Sequence, residues 1–198
     1  TIGVRVPAHP VAAALVAEGH RSVVISAGGR LLDSLLASGS EHRLLDVGAK
    51  SPRTLFKVRA LRRVLRDLQA DIVHVRSRLP AWITRFALRG LNPRPALIST
   101  VHGLNSPGPY SAILTRADRV ICVSNTVQNY LRQHYPEVPP ERLRVVPRGI
   151  DPADFPRGFR ASREWRLTFL AEHAQLDGGP ILTLPGRGTR LKGHAEAL

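Results

Sequence analysis

The 198-residue sequence holds one cysteine, no methionine and only 5% aromatic residues. A single cysteine, Cys122, excludes an internal disulfide and fits a reducing compartment. It lies in the apolar run Val120-Ile121-Cys122-Val123, where a buried, unreactive thiol is expected. No apolar run approaches the ~20 residues that a membrane-spanning helix needs. The opening Thr1-Ile2-Gly3-Val4-Arg5 lacks the features of a signal peptide, and the missing methionine leads us to expect a start inside a longer gene product. Few aromatics mean few platforms on which bases could stack. His9, His20, His42 and His134 show no metal-ligand spacing, so no metal site is expected. No paired cysteines, Ser-His-Asp arrangement or paired carboxylates stand out. Asp118 and Asp151 read as turn and cap residues.

Acidic residues are also scarce: 29 basic against 15 acidic side chains leave a net charge of +14. Much of the excess falls in residues 50–90. There Lys50, Arg53, Lys57, Arg59, Arg62, Arg63, Arg66, Arg76, Arg78, Arg85 and Arg89 face only Asp67 and Asp71. Such a segment attracts polyanions: nucleic acid, anionic lipid head groups or phosphorylated glycans. An arginine-rich solvated surface without a ligand is an equal reading, and charge alone does not separate the two.

What is present is a regular alternation. Helical stretches are expected near 8–18 (closed by Gly19), 31–37, 51–69, 80–89, 110–117 and 125–134, and strands at 22–26, 43–47, 71–75, 96–101, 119–123 and 143–146. The stretch from Ser51 to Gln69 has Ser51 as N-cap, Pro52 in the first turn and an apolar stripe of Val58, Leu61, Leu65 and Leu68. Ser124 caps the helix that follows Val123. Apolar strands alternating with helices predict an α/β protein whose parallel sheet is covered on both faces. Residues 1–151 are expected to form one Rossmann-like domain, 152–179 a linker with a bridging helix at 162–174, and 180–198 the opening strand (181–184) and helix of a second.

In open parallel sheets, ligands bind beyond the carboxyl ends of the strands. Those positions hold Arg76, Ser77 and Arg78, then His102-Gly103, then Ser124, then Gly186-Arg187-Gly188 with Lys192. His102, placed before a glycine that admits close backbone approach, either hydrogen-bonds a substrate hydroxyl or serves as a capping or core histidine. His74, inside a strand, reads as a core histidine. Gly186 lets a phosphate near the backbone, and Arg187 and Lys192 could neutralise a diphosphate; an ordinary basic turn has the same local pattern.

Taken in order, Glu18-Gly19-His20, Ala70-Asp71-Ile72-Val73-His74, Thr100-Val101-His102-Gly103, Ala117-Asp118-Arg119-Val120-Ile121-Cys122-Val123-Ser124, Val146-Pro147-Arg148-Gly149-Ile150-Asp151 and Leu184-Pro185-Gly186-Arg187 with Lys192-Gly193 closely resemble the GT-B-fold retaining glycosyltransferases of family 4. Within that family they look like bacterial enzymes of lipopolysaccharide or other surface-glycan assembly. The resemblance implies transfer of a sugar from a nucleotide-diphosphate sugar, as co-substrate, to a glycan or lipid-linked acceptor. No metal or other cofactor is implied. His102 matches the histidine at the interdomain cleft. Arg187 and Lys192, with Gly186, match the grip on the donor diphosphate, and Gly3 the family's first glycine-rich loop. Arg76, Ser77 and Arg78 would line the acceptor side. A cytoplasmic enzyme is implied, with the basic segment docking it on the anionic inner leaflet and no specific nucleic acid as partner. The departures are an expected first strand before Thr1, Arg5-Val6-Pro7 after the glycine-rich loop, and Arg148 where asparagine is common. Most of the nucleotide-binding domain is expected beyond Leu198. The rival class is a non-catalytic protein that binds nucleic acid or anionic lipid.

Overall fold

The computed structural model describes residues 8–48, 54, 56–150, 152–153, 155–176, 178–181, 183–184, 186 and 195. The chain divides into two compact units, Thr1–Arg148 and Gly149–Leu198. The first unit runs α1 (Ala8–Ala17), β1 (Val23–Ser26), α2 (Leu32–Ala37), β2 (Glu41–Leu44), α3 (Lys57–Leu68), β3 (Ile72–Val75) and α4 (Arg78–Leu88). It continues with β4 (Ala96–Val101), a 3-10 turn (Ser111–Arg116), β5 (Arg119–Cys122), α5 (Asn125–His134) and β6 (Leu143–Val145). Strands β3-β4-β5-β6 form one parallel sheet in chain order, and β1 pairs with β2, also in parallel. This is the Rossmann-like α/β arrangement that the alternating pattern predicts.

Parallel neighbours need a crossover that returns the chain to the same edge, and the helices supply it while covering the sheet faces. The core joins Val75, Leu97, Val101, Val120, Cys122 and Leu143 from the sheet to Leu61, Leu65, Ile83, Ala87, Val127 and Leu131 from the helices. Cys122 is fully buried, and burial pushes its thiol above the ordinary range, so it stays protonated and unreactive. Gly19 closes α1 in the left-handed conformation, with its N–H on Val16 and the His20 N–H on Leu15. Ser124 caps α5, its hydroxyl accepting from the Val127 N–H at 3.2 Å.

Four expectations shift. The helix expected from Ser51 starts at Lys57. Thr54 and Phe56 sit in tighter 3-10 turns, and Phe56 occupies the cap position without a side-chain bond. Ser51 and Pro52 lie outside the described residues. Strand β2 ends at Leu44 rather than Val47, because ladder register with Val23–Ser26 defines it; Val47 is buried beyond the ladder. The segment after Tyr110 is 3-10 rather than α. The Asp118 N–H that an α-helix would direct to Leu114 goes instead to Leu97 of the sheet, and the Leu114 carbonyl accepts from the Ser99 hydroxyl. Finally, Ile181, Thr183 and Leu184 form no strand: no neighbouring strand offers a ladder among the described residues of the second unit. That unit contains α6 (Arg163–Glu172), capped by Ser162, with Trp165 stacked on Phe169 at 5.0 Å and half exposed. In the first unit Trp82 is half buried, its indole N–H on the Tyr110 carbonyl at 3.2 Å.

Ile83, with no exposed surface, tests the core. Ile83→Ala should cost about 2–5 kcal/mol in urea unfolding, and Ser124→Ala about 1 kcal/mol through the lost cap. An unshifted midpoint for Ile83→Ala would contradict the packing described.

Candidate functional site

All four strands of the main sheet end on the same edge, so the residues that follow β3 and β4 are neighbours. The register pairs Val75 with Ser99, which leaves Arg76 beside the end of β4. The Arg76 Nε donates to His102 Nε2 at 3.2 Å. From the far side, past the end of β6, Arg148 Nη2 lies 2.9 Å from His102 Nδ1. Two guanidinium groups therefore bracket one imidazole.

The chemistry of that bracket is constrained. A neutral imidazole has one N–H and one lone pair in its ring plane. Burial first, and then the charges of Arg76 and Arg148, push the His102 pKa down to about 4. At neutral pH the ring is uncharged and accepts from one arginine at a time. Arg76 itself is held below its ordinary value by burial and by the charge of Arg148.

His74, one strand over, behaves as the core histidine expected. Its Nε2 meets the Thr100 hydroxyl at 2.7 Å. Burial, followed by the charge of Arg76, lowers its pKa to about 4. Thr100 thus joins His74 to the strand that carries His102.

The other sequence candidates separate. Ser77 takes the extended cap conformation before α4, but its hydroxyl makes no cap bond; its carbonyl accepts from Ala81. Arg78 turns away, donating to the Ser111 hydroxyl at 3.1 Å and lying over the Tyr110 ring. Gly186 is an exposed bend in the second unit. Gly3, Arg187 and Lys192 lie outside the described residues, as does Asp151. A Cβ added at Gly103 would meet no described atom within 4 Å, so close approach of the chain's own backbone is not what calls for a glycine there. Asp118 braces a turn, taking the Leu97 N–H at 2.7 Å and Arg94 at 3.1 Å. Among the described residues, no three His, Cys, Asp or Glu side chains gather as a metal site would require. The cavity behind the His102–Gly103 loop measures ≈ 10 Å³, room for no more than a water.

Arg148 is the residue that sequence reasoning passed over as a site member. Its only signal was its place before Gly149-Ile150-Asp151, where it stood out as a departure. Its reach back to His102 depends on how the chain leaves β6.

In open parallel sheets ligands bind outside the carboxyl ends of the strands, and that is the edge on which these polar groups gather. Residues 3–154 match the model of Glycosyltransferase Family 4, and the chain belongs to that family. Among solved structures it is similar to a glycosyltransferase from Rickettsia africae, with 27% identity and a TM-score of 0.75 over 93% of this chain and 49% of that one. It also shares the fold of Alr3699/HepE of Anabaena, solved in complex with UDP and glucose, with 14% identity and a TM-score of 0.57 over 84% of this chain and 46% of that one. The chain spans about half the length of these two structures. No curated protein matches it.

Depressed histidine pKa values leave a mark on stability. Both rings have folded-state values near 4 against an unfolded value near 6.5, so the unfolded chain binds more protons in between. Stability is therefore full above about pH 6.5 and falls as the pH drops toward 4. Urea midpoints at pH 7 and pH 5 should differ in that direction, and the gap should shrink in His74→Gln. Equal midpoints would place both rings in ordinary solvent.

Proposed function

We propose that this chain is the acceptor-side domain, residues 1–151, with the linker and the opening of the nucleotide-sugar-binding domain, of a retaining glycosyltransferase. The enzyme transfers a sugar from a nucleotide-diphosphate sugar to a glycan or lipid-linked acceptor. The observation that carries this reading is a neutral His102 on the carboxyl edge of the sheet, flanked by guanidinium groups, in a chain of Glycosyltransferase Family 4. A neutral imidazole can hydrogen-bond a donor-sugar hydroxyl without repelling the positive charge that develops at the reacting carbon. Arg187 and Lys192, with Gly186 and Gly3, would hold the diphosphate. Fixed cations there stabilise the leaving group as it gains charge, and the reaction then requires no metal. Arg76 and Ser77 would face the acceptor. That Alr3699/HepE binds UDP and glucose supports a nucleotide-sugar donor.

The same reading assigns the protein to surface-glycan synthesis on the cytoplasmic side of the membrane. Among the described residues no helix is long and apolar enough to cross a membrane. A groove of ≈ 440 Å³ on α3 and α4 is lined by Phe56, Val58, Arg59, Arg62 and Phe86, with Phe56 81% exposed. An exposed ring beside arginines suits an anionic lipid surface. The rival polyanion reading loses ground because part of the basic segment serves the fold. Arg62 donates to the Ala87 and Phe86 carbonyls, Arg85 to the Arg116 carbonyl and Arg78 to Ser111.

The test is thermal unfolding of the full-length product of the gene that carries this chain, against UDP, GDP, ADP and their sugar conjugates. A ligand at 100 times its Kd adds roughly 2.7 kcal/mol. One nucleotide class should stabilise the wild type and not the Arg187→Ala, Lys192→Ala double variant. His102→Ala should lower kcat by about a hundredfold. The 198-residue chain by itself is expected to release no nucleotide from any donor. If no nucleotide stabilises the full-length protein while duplex DNA does, with steep salt dependence, the transferase reading falls.

A further inference from the structure

Past the end of β4 the chain runs His102-Gly103-Leu104-Asn105-Ser106-Pro107-Gly108-Pro109, outside the ladder of the sheet. Its first half has one backbone bond among the described residues, from the Asn105 N–H back to the Gly103 carbonyl at 3.1 Å, which closes a three-residue turn. The firmer anchors come from α5 and the residue that follows it. The Tyr130 hydroxyl donates to the Asn105 carbonyl. The Gly108 N–H donates to the Tyr135 hydroxyl at 3.3 Å, with Gly108 at a φ of 144° that favours glycine. Both phenols stand on a firm base. Val127 and Leu131 fix α5 in the core, Ser124 caps it, and Tyr135 is itself buried. The Tyr130 ring packs on His134 one turn further on, with centroids 4.4 Å apart. The cavity whose lining includes Val101, Gly103, Asn105, Tyr130 and Tyr135 measures ≈ 10 Å³, so the loop rests against α5 with room for one water at most.

We propose that Tyr130 and Tyr135 are positioning residues for His102. Neither phenol bonds to the imidazole. They fix the backbone three and six positions beyond it, and so set the direction from which the ring meets a ligand. A displacement of about 1 Å at a reacting group costs up to about a hundredfold in rate. A loop outside the ladder therefore needs anchors on an element that the core holds still. The purpose of the anchoring rests on the transferase reading, in which His102 meets the donor sugar; the anchoring itself does not. Within that reading the diphosphate is gripped elsewhere, so loss of an anchor falls on kcat rather than on KM. The imidazole also reports on the anchors. Burial is the first cause of its low pKa of about 4, and a loop lifted from α5 exposes the ring to water, so that the pKa climbs toward the ordinary value near 6.5.

The test uses the full-length protein carrying Tyr130→Phe, Tyr135→Phe or Tyr110→Phe. Each change removes one hydroxyl and keeps the ring. Tyr110 is the control: it follows the same loop, and its hydroxyl has no partner among the described residues. Steady-state rates are measured with the nucleotide sugar that the thermal panel selects. In parallel, the isotope-labelled ring of His102, assigned by its loss in His102→Gln, is titrated from acid to neutral pH by NMR. Tyr130→Phe should lower kcat about tenfold, the rate equivalent of one hydrogen bond, with KM unchanged. It should also move the His102 titration upward. Tyr135→Phe should move both in the same direction, and Tyr110→Phe neither. An unmoved titration or an unchanged kcat in the first two variants overturns the proposal, as does an equal loss in Tyr110→Phe or a change confined to KM. If urea unfolding shows that Tyr130→Phe does not fold, Tyr135→Phe decides alone. The two readings fail separately. Phenylalanine variants that match the wild type, beside a crippled His102→Ala, overturn the anchoring and leave the transferase reading in place. A full-length protein that transfers no sugar removes the transferase reading, and the titration then decides the anchoring.

Discussion

Parallel pairing of β3, β4, β5 and β6 is the constraint on which the rest depends. Because the strands run the same way, every crossover returns the chain to one edge and every carboxyl end emerges on the other. Residues far apart in sequence, such as Arg76, His102 and Arg148, then become neighbours. The ladder requires an apolar, fully buried middle, and Val120, Cys122 and Val101 supply it. Chemistry is confined to the edge because the interior of the sheet tolerates no unpaired charge.

Positive charge in this protein has two uses that composition cannot separate. Part of it finishes the fold: Arg62 donates to the Phe86 and Ala87 carbonyls in the last turn of α4, where acceptors outnumber the intrahelical donors. Arg85 does the same for the end of the following 3-10 turn. The remainder faces solvent or the sheet edge. The net excess therefore overstates how much cationic surface is available to a ligand. The pairs that do form are mostly exposed, such as Arg21 with Glu41 at 2.6 Å, and add little to stability.

Much of the fold was legible in the sequence, for stated physical reasons. Alternating apolar strands and capped helices located every strand of the main sheet, and Ser124 was correctly read as a cap. What escaped were features decided by tertiary partners. Strand β2 stops where its ladder with β1 stops, and the turn after Tyr110 is 3-10 because Leu97 claims the Asp118 N–H. Residues 181–184 look like a strand by pattern, yet a strand exists only with a neighbour. At the site, His102 and Arg76 could be placed because each follows a strand. Arg148 could not, since its side chain reaches His102 across 46 positions of chain, a distance no local pattern encodes.

The two tryptophans of the chain are divided between its two units. Trp82 is half buried, with its indole N–H satisfied and Phe86 stacked alongside at 5.8 Å. Trp165 is 56% exposed and stacks on Phe169, next to His173. Indole emission shifts to the blue in apolar surroundings and to the red in water, so each unit carries its own intrinsic fluorophore with a distinguishable colour. Replacing either ring by phenylalanine leaves a single-tryptophan protein in which the optical signal belongs to one unit alone.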